Sequence, residues 1–134
     1  MANREALLDQ IRRAYAARSK GDLDDLMTAF HPEAVFTLVG DKQALSVAGS
    51  AQGHSAVREG MDKFISTFEF VERHILSELV EGDRAVVHSR VTVRFRPKNS
   101  KHRTEILDLF RFQNGKIIEL MEFADTALIG KMMS

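Results

Sequence analysis

This chain has no cysteine, so disulfides and thiolate metal sites are excluded. It has no excess of charge either: 19 lysines and arginines meet 19 aspartates and glutamates. With no net field, the molecule as a whole attracts neither nucleic acid nor an anionic membrane. No apolar run approaches the about 18 residues of a membrane span. The opening stretch MANREALLDQIRRAY carries charge throughout, where a signal peptide has an apolar centre. Proline occurs twice, and nothing is repeated or low in complexity. What remains is 134 residues, 44% of them hydrophobic, enough for one domain, 1–134, with a real core. The expectation is a cytoplasmic protein with no nucleic-acid or membrane partner.

Helical spacing comes first. Asn3 is placed to cap a helix on which Leu7, Ile11, Ala14 and Tyr15 share a face, and Gly21 ends it. Asp22 starts a second, short helix with Leu23, Leu26, Met27 and Phe30 at helical spacing. His31-Pro32 breaks it, because a residue before proline avoids the helical region. Glu33 to Val39 predicts a strand, and Gly40 to Gly53 a polar loop with a short strand near Leu45 to Ala48. Ser55 caps a third helix, with Val57, Met61, Phe64, Ile65 and Phe68 in one stripe. The period then changes to that of strands: Phe70 to Val80, Ala85 to Phe95, Thr104 to Phe112 and Lys116 to Phe123. Arg96 to Arg103 reads as a polar hairpin tip and Asn114-Gly115 as a tight turn. Asp125 caps a last short helix, Thr126 to Met133. Helices followed by an antiparallel meander predict an α+β fold, a curved sheet wrapped around helices with a cavity between the layers.

The stretch ILDLFRFQNGKI, Ile106 to Ile117, holds one anomaly: Asp108 stands between two leucines of an apolar strand. Alternation puts Ile106, Asp108, Phe110 and Phe112 on one face, and Glu105, Leu107, Leu109 and Arg111 on the other. In the preceding strand Val86, His88, Arg90 and Thr92 alternate with Val87, Ser89, Val91 and Val93. In the last strand Ile118, Leu120 and Glu122 alternate with Ile117, Glu119, Met121 and Phe123. A carboxyl so placed either has a buried partner such as His88, Arg90 or Tyr15, or faces a pocket. Desolvation in a pocket raises its pKa.

Three stretches resemble a known family: YAARSKGDLDDLMTAFHPEAVF at Tyr15 to Phe36, LDLFRFQNGKIIELMEF at Leu107 to Phe123, and ADTAL at Ala124 to Leu128. Together they look like the SnoaL-like branch of the nuclear transport factor 2-like superfamily, which also contains the ketosteroid isomerases. The resemblance implies a cone-shaped curved antiparallel sheet wrapped around three N-terminal helices, with a short C-terminal helix, often as a dimer. Members of that family include isomerases, epoxide hydrolases, polyketide cyclases and many proteins of no known activity, and fold alone does not choose among them. DLFRF matches the isomerases' D-x-x-R-F strand and so places Asp108 in the cavity. There a carboxylic acid kept neutral by apolar surroundings donates a hydrogen bond to a developing oxyanion, as described for ketosteroid isomerase. The isomerases' general base falls on Leu38, which cannot take a proton, so steroid isomerisation by that mechanism is not expected. Tyr15 stands one helical position from the family's tyrosine, about 100° of rotation. In the epoxide hydrolase pattern Arg90 matches the arginine and Glu122 the last-strand aspartate, while Thr92 replaces the other aspartate.

The expected site is therefore Asp108, His88 and Glu122 for proton transfer, with Arg90, Tyr15, Phe110 and Phe112 holding substrate. Histidine is the side chain suited to exchanging protons near neutral pH, which singles out His88 as a shuttle. The expected ligand is a hydrophobic small molecule with a carbonyl or hydroxyl group. No cofactor is expected, and no metal, because His31, His54, His74 and His102 show no ligand spacing. Arg96, Lys98, Lys101, His102 and Arg103 read as a solvated tip. The alternative function is a non-catalytic module that binds a hydrophobic ligand or a partner. Val87, Val91, Val93, Leu107, Leu109, Met121 and Phe123 are expected on the sheet's other face, too much apolar surface to leave wet. An isologous homodimer through that face follows.

Overall fold

The Asn3 side chain accepts a hydrogen bond from the Ala6 amide and starts α1 (Arg4–Lys20). Gly21 ends that helix at φ 72°, a left-handed conformation that glycine adopts without strain. The structure, a computed structural model, describes residues 3–134; Met1 and Ala2 of the expected 1–134 domain lie outside the described residues. α1 buries Leu7, Leu8, Ile11, Ala14, Tyr15 and Arg18. Asp22 caps α2 (Leu23–Met27) by accepting from the Asp25 amide. Gly53, not Ser55, takes the cap position of α3 (His54–Thr67), which buries Val57 and Met61. Asp125 caps α4 (Thr126–Met133) by accepting from the Leu128 amide, as its position in the sequence predicts.

Among the described residues six strands form one sheet: β1 (Phe30–Leu38), β2 (Gly49–Gln52), β3 (Phe68–Glu81), β4 (Arg84–Phe95), β5 (Ser100–Gln113) and β6 (Lys116–Phe123). Their order is β2-β1-β6-β5-β4-β3. Neighbours run antiparallel except β1 and β6, which are parallel. That pair joins the first half of the chain to the end of the meander. At the β5–β6 turn Asn114 and Gly115 have φ of 54° and 74°, and Gln113 pairs with Lys116. Two positive φ values in a two-residue loop match the twist of the flanking strands.

Several boundaries differ from the periodicity. Phe30 opens β1 instead of closing α2, because Pro32 bars helix ahead of it and the Ile117 amide donates to the Ala29 carbonyl, drawing the chain onto β6. Phe68 leaves the α3 stripe and begins β3 in extended conformation. Leu45 to Ala48 form turns, and the short strand falls on Gly49–Gln52, where Gly49 pairs with Leu38. β5 reaches back into the expected tip because β4 runs on to Phe95, which pairs with Ser100.

Two apolar clusters fill the concave side. The larger surrounds Leu8, Ile11, Val57, Phe110 and Ile117; the smaller holds Phe68, Phe70, Val91, Phe95, Ile106 and Met132. Full burial of each such side chain contributes about 1.5–3 kcal/mol. One expectation about faces is overturned here. On β4 it is Ala85, Val87, Ser89, Val91, Val93 and Phe95 that are buried, while Val86, His88 and Arg90 are only half-buried and lie on the opposite face. The register sets Val87, Asp108 and Glu122 side by side across β4, β5 and β6. The valines assigned to the outer surface therefore belong to the core.

Candidate functional site

Between the inner face of the sheet and the helices lies a cavity of about 90 Å³. Phe36, Leu38, Phe70 and Phe110 from the sheet, Met61 and Phe64 from α3, and Leu128, Ile129 and Met132 from α4 line it. Its polar lining is sparse: Tyr15, Arg18, Arg73, Thr104, Asp108, Glu122 and Asp125. An apolar chamber with a few convergent polar groups is the usual form of a small-molecule site.

Asp108 is 1% exposed. The Tyr15 hydroxyl donates to its Oδ2 at 2.6 Å, and Arg73 Nη1 lies 3.9 Å from the same oxygen. Its other oxygen, Oδ1, is buried and has no hydrogen-bond partner among the described residues. Burial first, and the nearby Glu122 charge second, push the Asp108 carboxyl well above the usual carboxylate range. A hydrogen bond shared between the Asp108 and Glu122 carboxyls pushes the same way, while the Tyr15 hydrogen bond and the Arg73 charge oppose it without reversing it. Burial, followed by the charge of Asp108, likewise raises the Tyr15 hydroxyl.

Two arginines complete the polar set. The Arg73 guanidinium lies 3.6 Å from the Tyr15 ring centroid, and its Nη1 donates to Ser89 Oγ at 3.0 Å. Arg18 packs 4.1 Å from the Phe70 centroid, and its Nη2 donates to the Phe68 carbonyl at 2.8 Å and more weakly to that of Phe64. Burial lowers the Arg18 pKa to about 10. Sequence reasoning named neither residue. Arg18 was within reach of it, because the residue stands one turn after Ala14 and Tyr15 on the stripe already recognised as buried. Arg73 was not. Strict alternation from Phe68 and Phe70 sends it outward, but a bulge between Phe70 and Glu72 inserts Val71 and turns Arg73 inward opposite Val91.

Of the residues singled out from the sequence, the structure brings Tyr15, Phe110, Asp108 and Glu122 together around the cavity. Phe112 is buried in the core beside Phe110 but does not line the chamber. His88 and Arg90 are on the far side of the sheet, which corrects their assignment to the site. His88 Nε2 lies 2.6 Å from Glu105 Oε1, and Arg90 sits opposite Glu105 in the β4–β5 register. The cause is the inward turn of the Val87 and Ser89 face, which leaves even-numbered β4 residues outside. Leu38 lines the cavity and is 2% exposed, so no proton acceptor stands at that position. Among the described residues no cluster of His, Asp or Glu is arranged to hold a metal ion, and no helix is long and apolar enough to cross a membrane.

The profile of the SnoaL-like domain matches residues 11–120. A candidate isomerase from Bacillus subtilis superposes with a TM-score of 0.88 at 10% identity, over 99% of this chain and 96% of that one. A candidate isomerase from Rhodopseudomonas palustris gives 0.82 at 20% identity, over 99% and 98%. An LEH-like epoxide hydrolase of M. tuberculosis gives 0.75 at 14% identity, over 94% and 89%. Likeness at these identities establishes the fold. No curated protein matches the sequence.

Proposed function

The chain belongs to the SnoaL-like family, and on that premise we propose that its cavity binds an apolar small molecule bearing a carbonyl or hydroxyl oxygen and carries out acid/base chemistry on it, of isomerase, cyclase or hydrolase type. The observation that carries this reading is Asp108: a carboxyl 1% exposed, tied to Tyr15 through one oxygen and unpartnered at the other. A buried polar atom without a partner is costly unless something supplies one. Protonated, Asp108 accepts from Tyr15 at Oδ2, and its proton, shared with the Glu122 carboxylate, is donated to a ligand oxygen when one binds. Glu122, its neighbour in register, is the remaining inner carboxylate and takes the role of base. Glu122 removes a proton from the carbon next to a carbonyl, the oxygen takes up the charge, and Asp108 hydrogen-bonds that oxyanion until Glu122 returns the proton. His88 has no part in this scheme.

A small ketone tests it. In D2O, cyclohexanone incubated with the protein gains α-deuterium faster than in buffer. Asp108→Asn and Glu122→Gln abolish the acceleration while cyclohexanone still binds. Binding without any acceleration by the unaltered chain favours the non-catalytic, ligand-holding alternative.

We also propose a homodimer through the outer face of the sheet. Leu79, Val86, Leu109 and Met121 form one row across β3, β4, β5 and β6, and Leu107 pairs with Phe123 in the next. Leu79 is 66% exposed, Leu107 39% and Phe123 40%. A second copy related by a two-fold axis covers this patch with its own.

A further inference from the structure

Two arginines are more positive charge than chemistry on a neutral ketone requires. Arg18 and Arg73 come from α1 and β3, yet their guanidiniums approach a single ring, 4.1 and 5.2 Å from the Phe70 centroid. Arg18 is 9% exposed and the Arg73 side chain 8%. Some exposed arginines have close partners: Arg12 meets Glu78 at 3.0 Å and Arg13 meets Asp25 at 2.7 Å. Inside, the pairing is incomplete. The Arg18 guanidinium bonds backbone carbonyls, and no carboxylate among the described residues stands at ion-pair distance from it. Arg73 lies 3.9 Å from Asp108 Oδ2, beyond the about 2.7–2.9 Å of a charge-assisted hydrogen bond. Its Nε is buried with no partner. Of the other carboxylates at the cavity, Asp125 is exposed and bonded to the Leu128 amide, which leaves Glu122.

When Asp108 is protonated, two cations thus face at most one inner carboxylate. A buried charge in excess is unfavourable, and a neutral ligand leaves the excess in place. We propose that the ligand is itself an anion: a ring-sized apolar molecule carrying an ionised oxygen group such as a carboxylate, held by Arg18 and Arg73, with its reacting oxygen beside Asp108. Guanidinium planes suit that group because they bind carboxylate oxygens in pairs. The proposal rests on the reading of Asp108 as a neutral acid, since an ionised Asp108 would itself balance Arg73.

Benzoate and benzamide share a shape and differ in charge. Isothermal titration calorimetry of the full chain at pH 7 is expected to give at least tenfold tighter binding of benzoate. Arg18→Gln and Arg73→Gln each weaken benzoate at least tenfold and leave benzamide within twofold, while Arg18→Lys retains part of the preference. Benzamide binding as tightly as benzoate overturns the proposal, as does an anion preference unchanged in both glutamine variants. The comparison on the unaltered chain stands even where a variant fails to fold. Deuterium exchange into cyclohexanone with no benzoate preference overturns the anionic ligand alone and leaves the acid/base reading. A benzoate preference without exchange supports the ligand class and removes the catalysis. Failure of both rings to bind overturns the proposal.

Discussion

The hydroxyl of Tyr15 and the carboxyl of Asp108, 93 residues apart in the chain, are joined by a 2.6 Å hydrogen bond inside the protein. This bond ties α1 to β5 and holds Asp108 against the cavity. Tyr15→Phe removes it and leaves a second buried carboxyl oxygen without a partner. Urea denaturation is expected to show a loss of about 1–3 kcal/mol. A loss below about 0.5 kcal/mol would show that the contact contributes little to the fold.

The raised pKa of Asp108 fixes the sign of a pH dependence. The folded protein holds the Asp108 proton more tightly than the unfolded chain does. This stabilisation is complete below the ordinary aspartate pKa, about 3.9, and is lost as pH climbs from there through the folded value. Asp108→Asn carries no such titration. The stability of the variant relative to the unaltered chain should therefore rise from pH 4 to pH 8. Tyr15 is displaced upward and Arg18 titrates near 10, so neither contributes in that range. Glu69, lowered by its hydrogen bond from Arg94, is common to both proteins and cancels. Denaturation midpoints at several pH values give the slope, and a slope of the opposite sign refutes the burial argument.

His88→Gln tests the corrected site. His88 meets Glu105 on the far side of the sheet, with its side chain 37% exposed. The substitution is expected to change stability by no more than about 0.5–1 kcal/mol. Cyclohexanone exchange and benzoate affinity should stay within twofold. A tenfold loss of exchange would return His88 to the mechanism.

The outer stripe makes the dimer testable. Leu107→Glu combined with Phe123→Glu sets two like charges directly opposite each other in register, and repeats them across a two-fold axis. Light scattering on the unaltered chain should give twice the monomer mass, and on the double variant the monomer mass with helix and sheet content retained. A monomeric unaltered chain at micromolar concentration would discard the interface.

Much of this architecture was legible beforehand because it rests on local rules. Asn3, Asp22 and Asp125 cap the helices their positions predict, and Asn114-Gly115 makes the turn its φ preferences demand. Asp108 was conspicuous because a carboxylate on an apolar strand face has no local explanation. The alternation that sorted β5 also sorted β4 correctly into two sets. It did not say which set faced in, since a strand with apolar residues on both sides is ambiguous by period alone. Choosing wrongly placed His88 and Arg90 inside and three core valines outside.

From the chain alone came the α+β class, the order of elements, and Asp108 as the residue to watch. Each follows from short-range sterics and hydrophobic period, which neighbouring residues carry among themselves. The partners of Asp108 were decided only in three dimensions. Arg73 enters through a bulge that no sequence period announces, and Glu122 arrives by register across a hairpin. Tyr15 arrives by the packing of a helix against the sheet. Burial then turns that grouping into chemistry, because the pKa of a carboxyl depends on what surrounds it in space.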